Sequence, residues 1–135
     1  MPAISRCLIF LSLLYFFAGT VMGALMLTHK AVFLANSIWA LFPVHIEFMI
    51  FGWIIQFTLG VAFWILPRFL GEKPRGKASY GVLMVFLINA GIMLVVAAQT
   101  DVIATQFAFA GRLAETAAVL LFIRLHWGRI VSYNI

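Results

Sequence analysis

The chain has 135 residues, enough for one modest domain, and its composition is that of a membrane protein. Apolar residues make up 65% and charged residues 10% of the sequence, with a mean hydropathy of +1.13; soluble domains are about half apolar and a quarter charged. These values exclude a soluble globular enzyme, a disordered chain and a nucleic-acid-binding domain. In a membrane protein, a net charge of +5 reflects basic residues that orient the spans and contact anionic lipid. We therefore expect membrane lipid and no nucleic acid as a partner.

Four segments are long and apolar enough to cross a hydrocarbon core about 30 Å thick, which requires about 20 residues in a helix. Since backbone groups in lipid must hydrogen-bond within their own segment, helices are favoured. The sequence thus predicts an all-α fold, an integral membrane four-helix bundle that forms a single membrane domain over residues 1–135. We expect the spans at residues 8–27, 44–66, 80–98 and 102–123.

Basic residues are distributed unevenly over this topology. With four spans, both termini and the second loop share one side, and that side holds the basic residues Arg6, Arg68, Lys73, Arg75, Lys77, Arg124 and Arg129. The other side has Lys30, partly offset by Asp101. Because cytoplasmic loops carry an excess of Lys and Arg, we expect both termini in the cytoplasm of a bacterial or archaeal cell, with the chain in its plasma membrane. A cleavable signal peptide is the alternative interpretation of the first span.

Ionisable side chains within the spans indicate where function lies, because a charge in the hydrocarbon region is costly and usually pairs or binds something. They are His45, Glu47, Arg112 and Glu115, and the topology places His45 near the non-cytoplasmic face. Arg112 and Glu115 are three residues apart and can pair, and Glu47 lies at a compatible depth. Either these residues form an ion cluster that fixes helix register, or Arg112 neutralises a cofactor carboxylate such as a heme propionate.

The second span carries a row of residues that suits a flat cofactor. Helical spacing places His45, Met49, Gly52 and Gln56 on one face. The imidazole can bind a metal, the glycine leaves room for a ring edge, and Gln56 is a polar neighbour. The alternative interpretation is a hydrogen-bonded histidine and a glycine that serves helix packing, as Gly19 and Gly23 do on the first span.

The stretch from His45 to Phe69 resembles the second helix of heme–copper oxidase catalytic subunits, and it is closest to the branch that includes the nitric oxide reductases. The matching features are the histidine near the outer end, Phe-Gly-Trp beginning at Phe51, the further glycine Gly60, several aromatic residues and the closing Pro67-Arg68. In that family the matching histidine ligates the low-spin heme. The resemblance therefore implies heme b as cofactor, with His45 as a ligand of the heme iron.

The departures from that family are large. Its catalytic subunits contain many more helices, and their copper site and high-spin heme need further histidines. This chain has three histidines in all, His29, His45 and His126, so an autonomous oxidase is excluded and no catalytic residue is expected. The second axial ligand would come from His29, from a second protomer's His45 or from a partner subunit.

Three functions remain open at this point. The first is a heme b-binding electron carrier or heme-bearing subunit, working with a redox partner in a homo-oligomer or a larger membrane complex. The second is a heme-free accessory subunit, in which His45 and Glu47 are bonded to protein groups. The third is a protein that handles protons or a small molecule with Glu47, Arg112 and Glu115.

Overall fold

The computed structural model describes residues 1–66 and 77–131, and within those ranges it is helical with no strand. The all-α prediction is thereby confirmed for the described residues. One helix, termed here the composite helix, is built of four consecutive segments of different pitch. The elements are α1 (Ala3–Ala31), the composite helix (3₁₀ turn Ile38–Leu41, α2 Phe42–Glu47, π-helix Phe48–Ile55 and α3 Gln56–Ile65), α4 (Ala78–Gln99) and α5 (Phe107–Val131).

Within the described residues, three helices are long and apolar enough to cross a membrane: Ala3–Ala31, Ile38–Ile65 and Ala78–Gln99. They contain the first and third predicted spans and the second up to Ile65. The fourth predicted span is displaced, because α5 begins at Phe107 rather than at Val102 and continues to Val131. Of the predicted cytoplasmic basic residues, Arg68, Lys73 and Arg75 lie outside the described residues, as does the Pro67-Arg68 motif.

A tight turn separates α4 from α5 and explains the displaced start. Asp101 has a φ of 57°, the left-handed conformation that ends many helices. The Val102 N–H donates to the Ala97 carbonyl at 2.9 Å and the Thr100 N–H to the Val96 carbonyl at 3.0 Å. These bonds satisfy the carbonyl groups at the end of α4. The chain therefore reverses within a few residues, and α5 packs against α4 as the neighbour that the short connection predicts.

Apolar side chains occupy both the interior and the outer surface of the molecule. The buried core joins all four helices through Leu8, Tyr15, Leu59, Phe63, Met84, Ile88, Ile92, Ala118 and Leu125. Large apolar side chains such as Phe17, Phe86 and Phe109 are exposed on the outside. A helix that is apolar all round is typical of a buried or membrane-spanning element, which agrees with the apolar length of the first three helices.

Candidate functional site

His45 is held by the backbone of α1. Its Nδ1 atom lies 2.8 Å from the Gly19 carbonyl oxygen, and because a carbonyl only accepts hydrogen bonds, Nδ1 must carry the proton. In a neutral imidazole the other nitrogen, Nε2, is then the one with a free lone pair. Nε2 has no hydrogen-bond partner among the described residues. His45 therefore has the tautomer and the fixed orientation of a metal-binding histidine.

Two glycines on α1 make this contact possible. A Cβ atom on Gly23 would lie 3.0 Å from His45 Cε1, and one on Gly19 would lie 2.7 Å from Met49 Sδ. Small residues let two helices approach closely, so the Gly19 and Gly23 pair is a packing surface, as the spacing indicated. This surface receives the site-bearing side chains of the composite helix.

A groove with a volume of about 530 Å³ runs between α1 and the composite helix beside His45. This volume is within the usual range for small-molecule sites, about 300–1,000 Å³. Its walls are mostly apolar, with His45 and Lys30 as the ionisable side chains. The lining residues are Thr20, Gly23, Ala24, Met26, Leu27, Lys30, Trp39, Phe42, His45 and Met49.

The four residues predicted to share a face do all turn toward α1, but only His45 and Met49 border the groove. A Cβ atom on Gly52 would lie 2.6 Å from Cγ of Tyr15, so the ring of Tyr15 fills the space that this glycine leaves. Gln56 is fully buried and its Nε2 donates to the Leu8 carbonyl at 3.4 Å. Gly52 and Gln56 therefore pack against α1 farther along the composite helix, outside the groove.

Met49 and Gly52 lie in the π-helical segment Phe48–Ile55, a feature that sequence reasoning missed. π-Helical turns are rare and occur frequently at functional sites. The segment begins directly after α2, which carries His45 and Glu47. No proline or other local signal in the sequence marks it, because the apolar run is compatible with a regular α-helix.

The other three ionisable residues that the sequence places within the spans, Glu47, Arg112 and Glu115, form a separate cluster on the opposite side of the composite helix. Arg112 Nη2 lies 2.6 Å from Glu47 Oε2, and Arg112 Nη1 lies 2.8 Å from Glu115 Oε2. Both glutamates are 1% exposed, while the Arg112 side chain is 42% exposed and lies over the Phe51 ring at 4.6 Å. Arg112 thus makes the ion pairs that its spacing allowed, and it does not border the groove.

The remaining predicted polar residues also have assigned contacts. His29 Nδ1 accepts a hydrogen bond from the Leu34 N–H at 3.1 Å, and this histidine is absent from the groove lining. His126 is buried and stacks on Phe122 with ring centroids 4.1 Å apart. The Tyr15 hydroxyl donates to Asn89 Oδ1 at 3.0 Å, a hydrogen bond between α1 and α4. Among the described residues no three His, Cys, Asp or Glu side chains come together as a metal site.

Comparison with known proteins gives no relative for this chain. No family model, no curated protein and no solved structure matches it. The likeness to heme–copper oxidase catalytic subunits therefore depends on the residues of the second span alone.

Proposed function

We propose that this chain is an integral membrane protein that binds heme b in the groove beside His45, where the Nε2 atom of His45 would ligate the iron. It would act as an electron carrier or as the heme-bearing subunit of a larger membrane complex. One observation carries the proposal: the Gly19 carbonyl fixes Nδ1 as the protonated nitrogen, which leaves Nε2 without a partner among the described residues, and His45 lines a mostly apolar groove.

Two features of the groove fit a heme. The set of residues around it differs from the set that the sequence predicted. The imidazole has a backbone acceptor behind it, which orients a ligand histidine and raises its basicity. The groove is mostly apolar, as the body of a porphyrin requires. Gly52, Gln56 and Arg112 lie away from the groove, so the site consists of His45, Met49 and the residues of α1 that face them. When bound, heme supplies one-electron transfer if two histidines ligate it, or gas binding if one position stays open.

The proposed topology has four membrane-crossing helices with both termini in the cytoplasm of a bacterial or archaeal cell. Three helices of the described part of the chain have the necessary length and hydropathy. α5 would be the fourth, and the ion pairs of its Arg112 with Glu47 and Glu115 reduce the cost of holding these charges within the membrane. His45 then lies near the non-cytoplasmic face, because it follows the loop that connects the first two spans.

The second axial ligand would come from another chain. Met49 lies on the same helix face as His45 and contacts Gly19, and His29 does not border the groove. A second copy of this chain in a homo-oligomer, or a partner subunit in a larger complex, would supply it. The electrons would pass to and from a redox partner.

A heme-free accessory subunit is the second candidate, and specific contacts favour it. His45 and Glu47 are both hydrogen-bonded to protein groups, Gly19 and Arg112 respectively, as that function predicts. The ring of Tyr15 fills the space at Gly52. In this alternative the groove would accept a lipid chain or a side chain of a neighbouring subunit.

The reduced-minus-oxidised absorption spectrum of the detergent-purified protein, expressed with ample heme, separates the two candidates. We expect b-type bands in the native chain, their loss in His45→Ala, and their retention in the control His29→Ala, which removes a histidine outside the groove. Bands that survive His45→Ala would move the ligand to another residue. A folded native sample without bands would refute heme binding and leave the accessory subunit.

A further inference from the structure

The groove has a cationic end, and this feature, which rests on the proposed heme site, identifies a further binding residue. We infer that Lys30 binds the carboxylate groups of the ligand in this groove, the role that the sequence alone had suggested for Arg112. The ligand class is an apolar, flat molecule with an anionic edge.

Arg112 is unsuitable for that role in this structure. Its guanidinium group contacts the carboxylates of Glu47 and Glu115 at 2.6 and 2.8 Å. A further carboxylate would place three negative charges around one positive charge, and like charges at close range repel. Arg112 is also absent from the residues that line the groove.

Lys30 lines the same groove as His45, and it is the one lysine or arginine among the described lining residues. Its Nζ lies 5.7 Å from the centre of the Trp39 ring, a cation–π distance. No carboxylate of the described residues pairs with it. Its ammonium group therefore keeps its hydrogen-bond donors available for an anionic ligand.

The position of Lys30 along α1 gives the groove a direction. Thr20 and Met49 lie toward one end, while Lys30 and Trp39 lie at the other, where α1 ends. Lys30 is ten positions after Thr20, which corresponds to about 15 Å along the helix axis, at about 1.5 Å per residue. In the proposed topology the Lys30 end of the groove lies at the non-cytoplasmic surface of the membrane. Lysine side chains near helix ends reach the membrane–water interface. Lys30 would then hold the anionic groups of the ligand at that surface, and Met49 would contact its apolar part.

The same anion-binding chemistry could be used by the phosphate of a lipid headgroup, so the experiment compares two hemes. The heme-free protein is titrated with heme b and with its dimethyl ester, in which both carboxylates are blocked, and the dissociation constants are measured by absorbance. The variants are Lys30→Gln and Lys30→Arg. The matched control is Lys77→Gln, which removes a lysine that lies 5.9 Å from the Tyr80 ring at the start of α4.

We expect Lys30→Gln to raise the dissociation constant of heme b about tenfold, the effect of one lost charge-assisted hydrogen bond, and to leave the constant of the ester unchanged. Lys30→Arg should retain tight binding of heme b, and Lys77→Gln should change neither constant.

Equal effects of Lys30→Gln on both hemes, or no effect on either, would overturn the role of Lys30. The titrations are repeated in vesicles containing phosphatidylglycerol. An equal effect on both hemes that appears only in these vesicles would assign Lys30 to lipid headgroups and would also overturn its role in binding the heme carboxylates. If the native chain binds neither heme, the proposed heme site itself fails, and the role of Lys30 falls with it. That result is distinct from tight native binding that does not depend on Lys30.

Discussion

The two main helix contacts of this protein both use glycine, but for different purposes. Between α4 and α5 a Cβ on Gly91 would lie 2.8 Å from the Gly111 carbonyl oxygen, and the converse distance is also 2.8 Å. Between α1 and the composite helix, Gly23 and Gly19 receive the side chains of His45 and Met49 instead. Where the backbones of α4 and α5 are in contact, no space is left for a ligand. Where a glycine of α1 contacts a side chain of the composite helix, it positions that side chain and a groove remains beside it.

The polar groups differ between the same two regions. On the side of α5, Glu47, Arg112 and Glu115 are paired with one another, so their main contribution is to join the composite helix to α5. On the side of α1, His45 has one nitrogen bonded to Gly19, and the other has no partner in the part of the chain that the structure describes. The first region is therefore expected to determine stability and the second to determine binding.

The largest expected effect is on stability, from Arg112→Ala. This change leaves the carboxylates of Glu47 and Glu115, each 1% exposed, without their cation. Removing one partner of a buried ion pair costs about 3–5 kcal/mol. The free energy of unfolding in mixed micelles, followed by tryptophan fluorescence, should fall by an amount of that order.

The control for this variant neutralises the whole cluster. Arg112→Met combined with Glu47→Gln and Glu115→Gln removes all three charges, and buried ionic clusters replaced in this way often keep or gain stability. We expect this triple variant to be more stable than Arg112→Ala. If Arg112→Ala alone unfolds like the native chain, the cluster does not hold α5 to the composite helix.

A smaller loss of stability is expected from Gly91→Ala. The added methyl group would meet the Gly111 carbonyl oxygen at 2.8 Å and Glu115 Cγ at 2.7 Å, and the backbone of α5 cannot move away without separating the helices. Overpacking of this kind costs about 1–3 kcal/mol. The free energy of unfolding, measured as for Arg112→Ala, should fall by that amount.

Gly81→Ala is the matched control, because it makes the same substitution in the same helix. There the methyl group meets the end of the flexible Ile4 side chain, which can rotate aside. A loss of stability as large as that of Gly91→Ala would contradict the distinction between backbone and side-chain contacts.

The smallest effect on stability is expected from Gly23→Ala, but this change should alter the heme binding proposed above. The methyl group would lie 3.0 Å from His45 Cε1, so the imidazole must shift by a few tenths of an ångström while the fold persists. We expect an unfolding free energy close to native and weaker b-type bands, or a higher dissociation constant for heme. Native binding in this variant would show that the position of His45 against α1 is unimportant for the site.

The sequence by itself determined the helical character of this protein and much of its local chemistry. Apolar runs of about 20 residues predict helices of membrane-crossing length because backbone groups in lipid require internal hydrogen bonds. The Arg112 and Glu115 pair was predictable because residues three apart share a helix face. That Asn89 needs a hydrogen-bond partner also follows from the sequence, because it is a polar side chain within an apolar span.

Only the tertiary structure decided how these groups are distributed. It placed the ring of Tyr15 against Gly52, put Arg112 on the far side of the composite helix from His45, and brought Lys30 to the groove. It also introduced the π-helix Phe48–Ile55. Each of these features depends on which helix faces which, and at what rotation. Local periodicity fixes the faces of a single helix, but the packing between helices decides which side chain fills a space and which stays free to bind a ligand.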